Sequence, residues 1–366
     1  MKPNKLRVAI THGDINGVGY EVIIKALSDQ RMTEICTPVV YGAAKVSGYY
    51  KKVLDVPNLQ FNIVANADNI LPDRVNFVNC FDDELKVEIG KPSQVAGMAS
   101  LKALEVAVQD LKDGKVDVLV TAPINKNTIQ GEDFNFSGHT EYLQSRFGGE
   151  NEPLMILMNE TLKVALVTTH TPIKELSEKI TKELIINKLN IFNTSLIQDF
   201  KLERPRIAVL SLNPHAGDNG LIGTEEQDTI IPAIQEAYSS GIVCFGPYSA
   251  DGFFGAALYK NFDGVLAMYH DQGLAPFKAL SMDDGVNYTA GLDFVRTSPD
   301  HGTAYDIAGK SKASANSMRQ AIYTAIDVYN NRVMYDEITA NPLRKQYVDR
   351  SGKDESVNLM AETEAE

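Results

Sequence analysis

The sequence predicts an α/β protein with a largely parallel sheet, organised as two α/β domains around a central cleft. Three observations carry that expectation. Short apolar runs alternate with helical patterns along the chain, the mark of βα units laid side by side. At 366 residues the chain exceeds one average domain, and its 44% apolar content can bury a substantial core. No linker rich in Gly, Ser or Pro interrupts it, so the chain is expected to cross between domains more than once. Residues 1–125 with 285–350 form the expected first domain and 126–284 the second.

Taken in order, the first apolar run, LRVAI, is a strand that meets THGD and glycines at 13, 17 and 19 before the helical EVIIKAL. This strand, glycine loop and helix have the look of a dinucleotide loop but lack the G-x-G-x-x-G order. The clearest helix runs from Ser93 to about Gly114, with Met98, Leu101, Leu104, Val108 and Leu111 at helical spacing. Ser93 is its expected N-cap and Gly114 its stop. VDVLVTA follows as a strand, then a polar loop; LKVALVTT is a strand followed by a helical segment. RIAVLSL leads through a Gly-rich loop to the helical EEQDTIIPAIQEAY, and DGVLAMY leads to another loop. The tail, 354–366, is acidic and poor in large apolar residues, which predicts disorder.

A net charge of -13 argues against nucleic-acid binding through a general basic surface, while leaving room for a small basic pocket on an acidic protein. Cys36, Cys80 and Cys244 are scattered without CxxC pairing, which fits a reducing compartment and offers no thiolate metal site. The N-terminus enters a strand at once, with no apolar leader, and no run approaches a membrane span. A cytoplasmic protein without membrane partners is expected.

All six histidines adjoin turn chemistry, and His12, His170, His215 and His270 each follow an apolar strand-like run. In open α/β sheets, ligands bind in the crevice outside the carboxyl ends of strands. Neutral imidazole is the commonest ligand of zinc and related divalent metals, and independent structural histidines have no reason to collect at strand ends. His170, His215 and His270 come from three separate strand ends, and three protein ligands leave coordination positions open for chemistry. The other reading has His170 capping a turn with Thr171 and Pro172, and His215 bonding backbone in its loop. Asp271 either orients His270 or serves the turn before Gly273.

Lys278, Asn287 and Arg296 follow at intervals of nine, a set that suits a phosphate or carboxylate if it converges on the cleft and ordinary surface polarity if it does not. In FSGHTEYL a turn containing His139 and Thr140 leads into a helix, where backbone N–H groups favour anions. Thr140 with Glu141 also suits simple capping. Asp251 is a further carboxylate, open to an N-cap role.

Together GDINGVGYE, TAPINK, FSGHTEYL, VALVTTHTPI, LNPHAGDNGLIGTEEQDTIIPAI, AMYHDQGLAPFK, GVNYTAGLDFVRTS and DHGTAYDIAGKSKA resemble, in order, segments of the 4-hydroxythreonine-4-phosphate dehydrogenase family of pyridoxal 5'-phosphate biosynthesis. The resemblance covers about Arg7 to Tyr329. It implies a fold similar to isocitrate and isopropylmalate dehydrogenases, a homodimer, and an active site shared between subunits. It implies that His170, His215 and His270 bind one divalent metal (Zn, Mg or Co), the third histidine usually coming from the partner subunit. Substrate binding by His139, Thr140, Lys278, Asn287 and Arg296 is implied likewise. The loop His301–Lys310 is similar to the adenine-side loop of isopropylmalate dehydrogenases, extending NAD contact, with NADP as the variant, to His301, Gly302, Asp306 and Asn316. Asp271 and Asp251 are the candidate catalytic bases. Ile15 and Tyr20 stand where the family commonly has proline, which leaves the first glycine loop's cofactor role open. The implied reaction is oxidation of 4-phosphooxy-L-threonine at C3 followed by decarboxylation. D-threonate or D-erythronate 4-phosphate is the rival substrate. A metal-dependent hydrolase and an acyl-phosphate transferase are the rival chemistries.

Overall fold

The computed structural model describes residues 5–56, 58–82, 84–130, 136, 139–147, 152–281 and 283–343. The acidic tail therefore lies outside the described residues, as do Ser137 and Gly138.

Twelve strands form one sheet: β1 Arg7–Thr11, β2 Thr37–Gly42, β3 Phe61–Val64, β4 Val75–Asn79, β5 Val118–Thr121, β6 Leu154–Met158, β7 Lys163–Leu166, β8 Ile207–Leu210, β9 Cys244–Tyr248, β10 Gly264–Ala267, β11 Val286–Ala290 and β12 Val295–Pro299. Their order is β3-β4-β2-β1-β5-β12-β11-β6-β7-β10-β8-β9. Eight of the eleven ladders are parallel. The other three, β12–β11, β11–β6 and β6–β7, are antiparallel. An odd number of reversals makes the parallel block β3-β4-β2-β1-β5-β12 run opposite to the block β7-β10-β8-β9. Sequence patterning predicts the parallel character but not the reversal. β1, β2, β5 and β8 are almost wholly buried, as expected of strands covered by helices on both faces.

The helix expected after Ser93 spans Gln94–Lys112; Ser93 Oγ accepts the Ala96 N–H at 3.2 Å, and Gly114 turns the chain at φ +67°. Met98, assigned above to its apolar face, is 72% exposed. The buried stripe uses smaller residues, Ala96, Ala99, Ala103 and Ala107 with Leu104 and Val108, because the helix packs close to its neighbours. At Gly97 a Cβ would stand 1.9 Å from the Thr128 carbonyl oxygen.

A second correction concerns the segment after β10, expected as a loop. It is a helix, His270–Leu280, with Pro276 inside it. Leu274 and Phe277 are buried at i, i+3, and the helix seats on the sheet through Gly273, where a Cβ would lie 2.8 Å from Val164 Cγ1. Packing of that apolar stripe outweighs the hydrogen bond lost at Pro276. In the first glycine loop, Gly13 and Gly19 permit backbone contact: added Cβ atoms would meet Pro123 O at 2.3 Å and His12 O at 2.2 Å.

Candidate active site

The site is built outward from the β11–β12 hairpin. Asn287 pairs with Ser298 across the antiparallel ladder, and side chains alternate between faces, so Asn287, Thr289, Arg296 and Ser298 share one face of the sheet. Tyr288 points to the other face. There its hydroxyl donates to Asp199 Oδ2 (2.6 Å) and accepts from Arg332 Nη2 (2.9 Å), which pins the strand from behind.

Arg296 is 3% exposed. Its Nε and Nη2 donate to Thr121 Oγ1 (3.2 and 2.7 Å), Nη1 donates to Thr289 Oγ1 (3.2 Å), and Nη2 donates to His139 Nδ1 (3.3 Å). Among the described residues no carboxylate stands within ion-pair distance of this guanidinium. Burial brings its pKa down from 12.5 to about 10, opposed by the more distant Glu141. His139 opens the helix His139–Phe147. Burial, then Arg296 and Lys126, hold its pKa well below the usual value, so the ring is neutral, with the proton on Nε2 because Nδ1 accepts from Arg296. Three buried atoms around this centre, His139 Nε2, Asn287 Oδ1 and His301 Nε2, have no hydrogen-bond partner among the described residues. Buried polar groups are almost always hydrogen-bonded, so these atoms leave donor and acceptor positions open to a polar ligand.

A cleft of about 960 Å³ opens over this face. On one wall Lys278, from the helix His270–Leu280, pairs with Asp300 at 3.3 Å; burial pushes the Asp300 carboxyl up and Lys278 opposes it. On the other, Lys126 Nζ lies 3.1 Å from His170 Nε2. The rings of His170 and His270 are neighbours, 6.4 Å between centroids and tilted by 35°, and His270 Nδ1 is 2.7 Å from Asp271 Oδ1. Tyr305 joins three loops: its hydroxyl donates to Asp14 Oδ2 (2.7 Å) and accepts from Asn125 Nδ2 (2.9 Å), next to Lys126.

Thus His139, Thr140, His170, His270, Lys278 and Asn287 meet in the cleft with Arg296, His301 and Gly302. His215, Asp251, Asp271, Asp306 and Asn316 do not line it. His215 stands on an exposed loop after β8, close enough to Asp251 for its charge to help depress that carboxyl after the Ser249 and Gly252 hydrogen bonds. β7, β10 and β8 are neighbours in the sheet, so the strand ends bearing His170, His270 and His215 are adjacent. Even so, among the described residues of one chain no three metal-ligating side chains converge. The donor chemistry of two neighbouring imidazoles suits a divalent ion. Lys126, Asp300 and Thr121 are the site residues that sequence reasoning missed. Lys126 has the same signal as the histidines, a polar group closely following a buried strand; Asp300 adjoins His301.

A family profile described as pyridoxal phosphate biosynthetic protein PdxA matches residues 34–325. The chain is 59% identical over 363 residues to the 4-hydroxythreonine-4-phosphate dehydrogenase of Bacteroides thetaiotaomicron, covering 99% of each. It is 38% identical to a putative D-threonate 4-phosphate dehydrogenase of Oceanobacillus iheyensis, covering 88% of this chain and 97% of the other. Among solved structures, that of the 4-hydroxythreonine-4-phosphate dehydrogenase of Klebsiella pneumoniae superposes with a TM-score of 0.76 at 33% identity, covering 89% of this chain and 100% of the other.

Proposed function

Because the chain belongs to the pyridoxal phosphate biosynthetic protein PdxA family, we propose that it is the dehydrogenase that oxidises 4-phosphooxy-L-threonine at C3 with NAD. The product, 2-amino-3-oxo-4-phosphooxybutanoate, loses CO2 to give 3-amino-2-oxopropyl phosphate. Arg296 is the observation that carries the reading: a buried guanidinium with only hydroxyls and a neutral imidazole around it is an anion site in waiting. Asn287 and Lys278 add a neutral and a charged group to the same cleft, as a phosphate ester dianion requires.

Anchoring the phosphate orients the far end of the substrate toward His170 and His270, so binding energy at one end fixes geometry at the other. His301 and Gly302, on the cleft wall, are the contacts we assign to the dinucleotide; His301 Nε2 lacks a partner among the described residues, and a Cβ at Gly302 would meet open space. Asp306 and Asn316 are assigned to the same dinucleotide farther out. His170 and His270, 6.4 Å apart between ring centroids in one chain, would hold a divalent metal with the His215 of a second copy, where the resemblance implies His270 as the partner's ligand. Bound there, the metal would supply Lewis-acid polarisation of the C3 hydroxyl, and NAD+ would take the hydride, the hydroxyl proton passing to solvent. The division into 1–125 with 285–350 and 126–284 places the cleft between two domains in this reading. Among the described residues no helix is long and apolar enough to cross a membrane.

NADH formation should be followed with 4-phosphooxy-L-threonine, D-threonate 4-phosphate, D-erythronate 4-phosphate and unphosphorylated 4-hydroxythreonine, with and without added divalent metal. Fastest turnover of the first supports the assignment. Preference for a hydroxy acid phosphate moves it to the Oceanobacillus relative's named activity, and equal turnover of the unphosphorylated compound removes the role given to Arg296.

A further inference from the structure

We propose that Glu226 is the positioning residue for His215, holding its loop in the conformation from which the imidazole reaches a metal shared with a second copy. The inference rests on the metal reading above. Its starting point is strained backbone: His215, Ala216, Gly217, Asp218 and Asn219 all have positive φ, at 52°, 53°, 77°, 42° and 55°. Residues of L configuration enter this region singly and seldom in sequence, because Cβ crowds the following carbonyl oxygen. Such a run persists only where its surroundings over-determine it.

Glu226 supplies that determination. It sits at the start of the helical segment after the loop and is 1% exposed. Its Oε1 accepts the backbone N–H groups of Leu212 (2.8 Å) and Asn213 (2.7 Å), and its Oε2 accepts Asn213 Nδ2 (3.0 Å). One carboxylate thus fastens the chain two residues before His215. The loop also wraps the carboxylate from the far side. A Cβ on Gly217 would lie 2.6 Å from Glu226 Oε2, and one on Gly223 would lie 2.6 Å from Asn213 Nδ2. The run closes on itself through Ile222 N–H donating to the Gly217 carbonyl at 3.1 Å. His215 is exposed in the middle of this clamp, so the clamp serves the position of an outward-facing imidazole rather than the packing of a core. Glutamine at 226 cannot reproduce it, since its amide must face either the Asn213 amide or two backbone N–H groups, donor against donor.

The test uses the full chain and Co2+ as probe, read by the visible d–d absorption of the bound ion and by competition with a chelator. Glu226→Gln and Gly217→Ala should each weaken Co2+ binding by roughly 10- to 100-fold. Both should still melt cooperatively, only a few degrees below the unsubstituted metal-free protein, and keep the affinity for inorganic phosphate at the Arg296 site. Co2+ affinity and spectrum equal to the unsubstituted protein's in Glu226→Gln would overturn the inference. So would loss of phosphate binding and of cooperative melting in both variants, which would make Glu226 a fold element. Absence of Co2+ binding by the unsubstituted protein would instead remove the metal reading itself, a separate failure visible in the first titration.

Discussion

Replacing Arg296 by methionine should separate binding from stability. Burial lowers the guanidinium's pKa from 12.5 to about 10, and a shift of that size corresponds to about 3 kcal/mol against the charged form in the free protein. Methionine has similar length, removes the charge, and costs the contacts to Thr121, Thr289 and His139 Nδ1 at about 1 kcal/mol each. Urea unfolding should therefore show Arg296→Met within about 1 kcal/mol of the original, while a bound phosphate loses charge-assisted hydrogen bonds worth about 3–4 kcal/mol together. Inorganic phosphate affinity by calorimetry should fall by roughly 100- to 1000-fold. KM for the phosphorylated substrate should rise far more than KM for NAD+. A destabilisation above about 2 kcal/mol, or phosphate binding within threefold of the original, would refute the idea of a charge held ready for a ligand.

Two more tests address other parts of the molecule. His12 is fully buried, stacked on Tyr20, and burial lowers its pKa from 6.5 to about 4, so the unfolded chain binds its proton first. Stability should drop as pH falls through the window between those values, by about 2 kcal/mol from pH 7 to pH 5, and His12→Asn should flatten that slope; an identical slope in the variant would assign it to other groups. Mixing His170→Ala with His215→Ala protein offers a readout of sharing between copies. Each variant alone should lack metal-dependent turnover, and random mixed dimers should restore about a quarter of it, because half the dimers carry one intact site. No recovery after verified subunit exchange would place all three histidines within one chain.

Alternating apolar runs made the α/β class readable because β1, β2, β5 and β8 are buried on both faces and confine their polar residues, Arg7, Thr11, Thr37 and Thr121, to the strand ends. What they did not encode was direction: the three antiparallel ladders depend on which strands become neighbours, a long-range property. The even spacing of Lys278, Asn287 and Arg296 turned out to have no single cause. Lys278 is on a helix, whereas Asn287 and Arg296 are brought together by hairpin parity. The helix His270–Leu280 was hidden by Gly273 and Pro276, whose local preferences lose to the burial of Leu274 and Phe277. Lys126 passed unnoticed since a lone lysine after a strand is common, and only the fold sets it beside His170. The separation of His215 from the other two histidines could not be read from residue types, because Ala216 gives no hint of a left-handed turn.

The ladder that runs without a break from β5 through β12 and β11 to β6 also governs how the cleft can move. A rigid rotation about a linker would tear main-chain hydrogen bonds across the middle of the molecule. A change of sheet twist spread over several strands would tear none. The cleft should therefore behave as a spring rather than a hinge. Its opening should be small at every joint, distributed through the backbone, and stiffened wherever a side chain such as Tyr288 ties a central strand to the helices behind it.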